Sequence, residues 1–427
     1  MASMADIKIT NQLHQFAAEQ HRDEPNWLMN RRLHLADTYL ALPLPVRQRT
    51  PLKNRKLDRI PILTVQPDAL ASDSLTELLK LVNLAMVNGR VVQIAIPQSW
   101  KDKGVILLSM KDAVQSVPQL VQEYLGTVIN DEVDKFQALN GALWQDGLFV
   151  YIPPRVALDE PITVMHYGDA QATSILPRNL IIADKESSVV IVEQYLSEPG
   201  AAKSLWSAAT EIVLKEGAVM HYGAIQQLAP AAEVFVRRGC TVGRDAVVNW
   251  HIGEFGAGLV VSEHLSILGE PGGKSESTTV FFGSSNQHQD YTAIDRHIAP
   301  HTTSRMVARG VMKNEARSVF TGITDIKKGA VGSDGRQKEK ILMLSDTARA
   351  DAIPSLLIEE NDVFAAHAAS AGPVDEATIF YLMSRGLSKP EAVRLIVQGF
   401  LAPVIDAIPL GPLRQDVWNA VERKIAQ

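Results

Sequence analysis

Read for the spacing of its apolar residues, the chain changes texture twice. From about Ile9 to Gln20, and again from Trp27 to Leu42, apolar residues return every three or four positions, the period of an amphipathic helix, with Pro25 between the two segments. The second segment gathers Leu28, Leu35, Tyr39 and Leu42 near one face, sets Arg31, Arg32 and Asp37 elsewhere, and stops before Pro43 and Pro45. After a loop rich in Arg and Lys, SDSLTELLKLVNLAMVNG reads as one helix with a Ser or Asp cap and a glycine stop. Two apolar strand candidates follow, RVVQIAI and GVILLSM. Lys111 to Trp144 returns to helical spacing, and in DGLFVYIPP a short β segment is bracketed by Gly147 and the pair Pro153-Pro154. A boundary is expected near residue 155.

From Pro161 to about Asp362 the pattern becomes short runs rich in Val, Ile, Thr and aromatics, such as SVVIVEQYL, AVMHYGAIQQL, AVVNWHIGEF and STTVFF. A small polar corner recurs before several of them, as DKESSVV, KEGAVM, GRDAVV, KNEARSV and KKGAVG. The first three corners begin at Asp184, Lys215 and Gly243, about thirty residues apart, which suits a solenoid coil. Later spacings are irregular, and a β-sandwich with frequent turns accommodates the same strands.

The last 65 residues, 363–427, read as helical. Asp375 to Arg385 forms one helix closed by Gly386, and Ser388 opens another with Glu391 completing a capping box. That helix runs to about Ala402, where Pro403 bars continuation, and Leu413, Val417, Val421 and Ile425 form the stripe of a third. The expected organisation is a mixed helical unit over 1–155, a β region over 156–362 and a helical module over 363–427.

Composition narrows the function. Lys plus Arg total 42 against 48 Asp plus Glu, a net charge of −6, so no footprint for a nucleic-acid backbone is present and no nucleic-acid partner is expected. Hydrophobic residues at 46% and charged residues at 21% are ordinary for a folded globular chain. The single cysteine, Cys240, excludes an internal disulfide, a Cys-x-x-Cys knuckle and a four-thiolate iron–sulfur site built from this chain alone. No apolar run has the length of a signal-peptide core or a membrane span, so a cytoplasmic protein without a membrane partner is expected.

Candidate chemistry is sparse. No G-x-x-x-x-G-K-[ST] occurs, and GEFGAG (Gly253 to Gly258) leads into a strand rather than the helix a dinucleotide site needs. A G-x-S-x-G elbow is also absent. The densest polar stretch holds His288, Asp290, Asp295, His297 and His301. Asp295 and His297 would share a strand face, as metal ligands do, but hydrogen-bonded or solvated histidines explain the stretch better. Cys240, flanked by Arg237 and Arg238, is either an activated thiol or a small buried residue, and packing is the better reading. His367 is the only imidazole in a run of small residues, where the β region hands over to helices.

Three late segments, RHIAPHTTSRMVARGVMKNEARSVFTGI, ILMLSDTARADAIPSLLIEENDV and HAASAGPVDEATIFYLMSRGLSKPEAVRLIVQGF, together with EPNWLMNRRLHLADTYLALPLP and LNGALWQDGLFVYIPP, carry a resemblance over most of the chain. The chain resembles the SufB/SufD family of iron–sulfur cluster assembly scaffolds. That resemblance implies a right-handed parallel β-helix in the centre with helices at both ends. SufB-type members carry a reactive cysteine in the β-helix, whereas SufD-type members carry a facing histidine. The resemblance places that histidine at His367, and Ala365 and Ala366 before it offer no thiolate. The implied role is that of a non-enzymatic subunit of the SUF assembly complex, pairing with SufB and binding the ATPase SufC, which supplies the P-loop missing here. The implied cargo is a transient iron–sulfur cluster or iron at the SufB interface, with His367 as its candidate ligand, no tightly bound cofactor, and flavin possible only at the level of the complex. Tyr381 and Arg385, four apart on one helix face, are the candidate SufC contacts, against an internal Tyr381 and a helix-capping Arg385. Homodimerisation of the isolated chain, through unpaired β-helix edges, is a further expectation. The reading from another class is a β-helix polysaccharide lyase or hydrolase.

Overall fold

The computed structural model describes residues 13–15, 17, 24–55 and 73–426. Of the helix expected over 9–20, residues 13–15 and 17 are helical and the rest lies outside the described residues, as does most of the Arg/Lys loop.

The helix Asn26–Ala41 buries Leu28, Leu35 and Ala36, and Arg32 with them. The helical period had set Arg32 on the polar side, but its guanidinium is fully buried. It donates to Glu24 at 2.7 and 2.8 Å and to the carbonyls of Ala142 and Trp144 at 3.2 and 3.1 Å, and lies 3.9 Å over the Trp144 ring. These partners satisfy a buried charge, and two of them stand more than a hundred residues away, beyond the reach of local periodicity.

The single helix expected over 72–89 is instead a helix at Asp73–Leu79 and a β-hairpin, Leu84–Val87 and Arg90–Ile94. Asn88 and Gly89 turn between the strands with φ of 50° and 80°, the left-handed pair that a tight hairpin favours. Tertiary pairing decides the matter: Leu84 to Val87 are all buried and run parallel to Ile162–Gly168.

From there the chain alternates between two sheets. In spatial order one takes Arg90–Ile94, Leu84–Val87, Ile162–Gly168, Ser188–Ser197, Val219–Gln227, Val247–Glu254, Lys274–Gly283, Thr303–Met312, Asp334–Met343 and Phe364–Pro373. The other takes Ile106–Ser109, Leu148–Ile152, Arg178–Ala183, Leu205–Leu214, Glu233–Val242, Leu259–Leu268, His288–His297, Arg317–Ile326 and Arg349–Ile358, with Ser174–Ile175 beside Leu205–Leu214. Between the coils pairing is parallel, Val219 standing beside Ser188 and Val247. This excludes the sandwich, which is antiparallel, and makes the centre a parallel β-solenoid.

The polar corners hold the coils in step. Arg155, Glu186, Gly217, Asp245, Gly272, His301 and Gly332 all have positive φ, in steps of 27 to 31 residues. Each donates its backbone N–H to a carbonyl of the next corner: Arg155 to Lys185 at 2.8 Å, Glu186 to Glu216 at 2.8 Å, Gly217 to Arg244 at 2.8 Å, and so on to Gly332 and Asp362 at 2.7 Å. A left-handed non-glycine residue costs about 1 kcal/mol, and the coil-to-coil hydrogen bond offsets it.

An apolar cluster in the early coils gathers Ile162, Ile191, Tyr222, Trp250, Ile181 and Ile212, with a buried polar group of Asn179, Glu193 and Thr210 in the same strands. The solenoid's last strand, Phe364–Pro373, runs past position 362, and the first C-terminal helix begins at Glu376. The helices Lys389–Ile405 and Gly411–Ala426 lay Val397, Leu401, Ile405, Leu413 and Val417 on the outer face of the first sheet, against Val192, Ile225, Val280 and Val311. Among the described residues no helix is long and apolar enough to cross a membrane.

Candidate functional site

His367 lies on Phe364–Pro373, the terminal strand of the first sheet. Its register partner is Gln337, and the same column continues inward through Met306, Ser277, Trp250, Tyr222 and Ile191. Each of those six is buried in the lumen. His367 therefore occupies an inward-facing position in a column that has run out of coils, and it is exposed only because nothing among the described residues covers the end. Side chains alternate along a strand, so Ala365 and Ala369 share its face while Ala366 and Ala368 take the other. Along its own strand the imidazole is flanked on that face by methyl groups, with Gln337 beside it on the neighbouring strand.

Beside it the second sheet ends on Arg349–Ile358. Leu357, Ile358 and Phe364 are exposed at this end, and each terminal strand has an edge with no neighbouring strand among the described residues. Unpaired strand edges with apolar side chains are a template for association with another chain.

The helix Glu376–Ser384 is capped by Asp375, which accepts from the N–H groups of Ala377 and Thr378 at 3.1 and 3.2 Å. It buries only Ile379. Tyr381 is 56% exposed and is not packed internally. Arg385, just past the helix end, donates from Nη2 to the Tyr381 hydroxyl at 3.3 Å and stands 5.3 Å from its ring. Phe380 and Met383 are exposed beside them, so this pair sits in an amphipathic surface, on helices apart from His367.

The other polar candidates separate. His288 and Asp290 face outward, where Thr50 Oγ1 lies 2.8 Å from His288 Nε2 and donates to Asp290 at 2.5 Å, and Arg47 reaches Asp290 at 3.1 Å. Asp295 and His297 do share a face, the lumenal one. Ser275 donates to Asp295 at 2.8 Å, and His297 meets Thr302 and Ser304 at 2.8 and 2.9 Å. His301 is a left-handed corner residue. Among the described residues no group of three or more His, Cys, Asp or Glu side chains is arranged to hold a metal. Cys240 is fully buried in the apolar core and burial pushes its thiol well up, against any activation by neighbouring arginines. Arg237 is engaged by Glu263 at 2.8 Å, and Arg238 is itself buried, donating to Ser262 at 3.1 Å.

Residue-type reasoning passed over the polar lumen near the open end. Gln337 and Glu339 are buried there, and burial pushes the Glu339 carboxyl up to about 7. One signal for them exists in the sequence: in DGRQKEKI they fall in the same alternation phase as Gly335 and Ile341.

A family model described as the SUF system FeS cluster assembly, SufBD core domain, matches residues 166–400, and one described as the SufBD protein N-terminal region matches 64–164. The iron–sulfur cluster assembly protein SufD of Bacillus subtilis is 33% identical over 422 residues, covering 96% of each chain. An iron–sulfur cluster assembly SufBD family protein of Staphylococcus saprophyticus is 28% identical over 416 residues, 91% of this chain and 87% of that one. A counterpart in Staphylococcus epidermidis is 30% identical over 326 residues.

Proposed function

The chain belongs to the SufBD family of iron–sulfur cluster assembly proteins, and from that premise we propose that it works as a non-enzymatic scaffold subunit of a SUF complex. In this reading its open solenoid end pairs with a SufB subunit, its C-terminal helices dock the ATPase SufC, and His367 meets iron or the nascent cluster at the SufB interface. The observation that carries the proposal is the lumenal column ending in an exposed imidazole, beside two strand edges that have no neighbouring strand among the described residues.

A neutral imidazole is a fitting donor for iron, which is borderline in softness, and it adds no competing thiolate. Sulfur then travels on SufB thiolates, because the one thiol of this chain is buried. The iron or cluster is transient cargo, no cofactor is held tightly, and flavin would belong to the assembled complex. Work from ATP enters through SufC, since this chain has no phosphate-binding loop of its own. The same free edges would pair two copies when SufB is absent. The family assignment gives no support to polysaccharide cleavage.

The test is co-expression with the SufB and SufC subunits of the same organism. His367→Ala is expected to keep the fold, within about 0.5 kcal/mol of wild type, and to co-purify with both partners while failing to mature iron–sulfur enzymes. Normal maturation by that variant would remove His367 from the site, and failure to co-purify even as wild type would remove the scaffold reading.

A further inference from the structure

One strand inside the open end, the lumen holds a carboxylate with no partner. Glu339 lies on Asp334–Met343 with 0% of its surface exposed, and neither of its oxygens has a hydrogen-bond partner among the described residues. Gln337 Oε1 is also without one, its amide nitrogen being spent on Thr324 Oγ1 at 2.7 Å and the Ser355 carbonyl at 3.2 Å. Across the lumen stands Gly322 of the second sheet. A Cβ built there would overlap Glu339 Oε1 and would lie 2.9 Å from Gln337 Oε1 and 3.0 Å from Met306 Sδ. Three electron-pair donors thus converge on one point, and only the absence of a side chain at 322 leaves it open.

Burying an ionised carboxylate without a partner costs several kcal/mol unless a positive charge or a proton is supplied. A carboxylate and an amide carbonyl suit a hard cation, while a thioether suits a softer one. The mixture selects the borderline first-row divalent ions over magnesium or calcium. The approach is short: His367 is the register partner of Gln337 and Ala369 that of Glu339, so the last strand places an imidazole and a methyl group between this point and the open end.

We propose that Glu339, Gln337 and Met306 form a lumenal holding site for a first-row divalent transition metal, loaded through the open end past His367. The proposal rests on the reading of that end as the functional one, and it places a metal inside this chain rather than only at its interface.

The experiment is anaerobic titration of the purified full-length protein with Co(II), read by its visible absorption and by calorimetry, with Mg(II) as the hard-ion control. Wild type is expected to bind one Co(II) in preference to Mg(II). Glu339→Gln should weaken that binding at least tenfold with an unchanged far-UV spectrum. Met306→Leu should shift the Co(II) bands, and Gly322→Ala, which fills the meeting point without removing a donor, should block binding. Absence of Co(II) binding in wild type, or a Glu339→Gln variant that binds as well as wild type, would overturn the site. If binding is lost in His367→Ala but kept in Glu339→Gln, the lumenal site falls while the interface reading stands. If Glu339→Gln abolishes binding and His367→Ala matures clusters normally, the lumenal site stands and the interface reading falls.

Discussion

Arg178 Nη2 meets Glu211 Oε1 at 2.5 Å inside the protein, from adjacent strands of the second sheet two positions out of register. Arg178 Nη1 also reaches Asp131 at 2.6 Å, and Glu211 accepts the backbone N–H groups of Gly126, Val128 and Ile129 at 2.8, 3.0 and 3.1 Å. Two ion pairs of Arg178, together with the amides that Glu211 accepts, therefore fasten the irregular segment 126–131 of the N-terminal region to the solenoid.

Removing that arginine leaves the buried Glu211 without its counter-charge, while Asp131 keeps only Arg31, at 2.8 Å. Arg178→Leu is expected to cost about 3–5 kcal/mol, measured as a lowered urea midpoint. Hydrogen exchange should show amides 126–131 losing protection first. A loss under about 1 kcal/mol would mean that the pair contributes little to fastening the two parts.

Tyr381 and Arg385 touch each other, and both are exposed. Replacing both by Ala should leave stability within about 0.5 kcal/mol of wild type, because both groups are on the surface. Under the proposed docking, affinity for the SufC subunit should fall about tenfold or more, in line with aromatic and arginine contacts at interfaces. Calorimetry decides, and unchanged affinity would return the pair to a purely local role.

Acid should weaken the fold through His297. Burial lowers its pKa to about 4, against an ordinary value of 6.5. Between those values the unfolded chain takes up a proton that the folded one refuses, so stability falls as pH drops, by about 1.4 kcal/mol per unit. Asp295 acts in the opposite sense below pH 6, since burial raises its pKa to about 6 and the folded form holds the extra proton. The slope of wild type is thus a sum over groups, and the difference from His297→Gln isolates one. Urea denaturation at pH 7, 6 and 5 should give that variant a shallower loss by about one proton, and parallel curves would contradict the assignment.

Cys240 should be silent toward thiol reagents in the folded protein and titrate as one thiol in denaturant. Burial both raises its pKa and blocks access. Rapid native labelling, measured with a chromogenic disulfide, would show that the strand Glu233–Val242 opens far more readily than its packing implies.

Much of this was legible along the chain wherever a local rule applied. The helix at 26–41, the short strand in LFVYI, the capping box at Ser388 and each polar corner at 184, 215 and 243 follow from residues within one or two turns of each other. The hairpin at Asn88-Gly89 was equally local and was masked by a helical period running into it. The site divides in the same way. His367 stood out as a lone imidazole among small residues, but nothing in its neighbourhood says that it shares a column with Gln337, Met306 and Trp250.

The sequence by itself determined the alternation of each strand, the polar corners with their roughly thirty-residue step, and the scarcity of thiols, because these depend on residue type and short spacing. Tertiary structure alone decided that the coils stack in parallel, that among the described residues the stack ends on the strand of His367, and that Arg32, Arg178 and Glu339 are drawn inside. The physical reason is range: burial of a charge depends on partners brought from distant coils, and an open end is defined by the strand that does not follow. Neither is a property of any window of the chain.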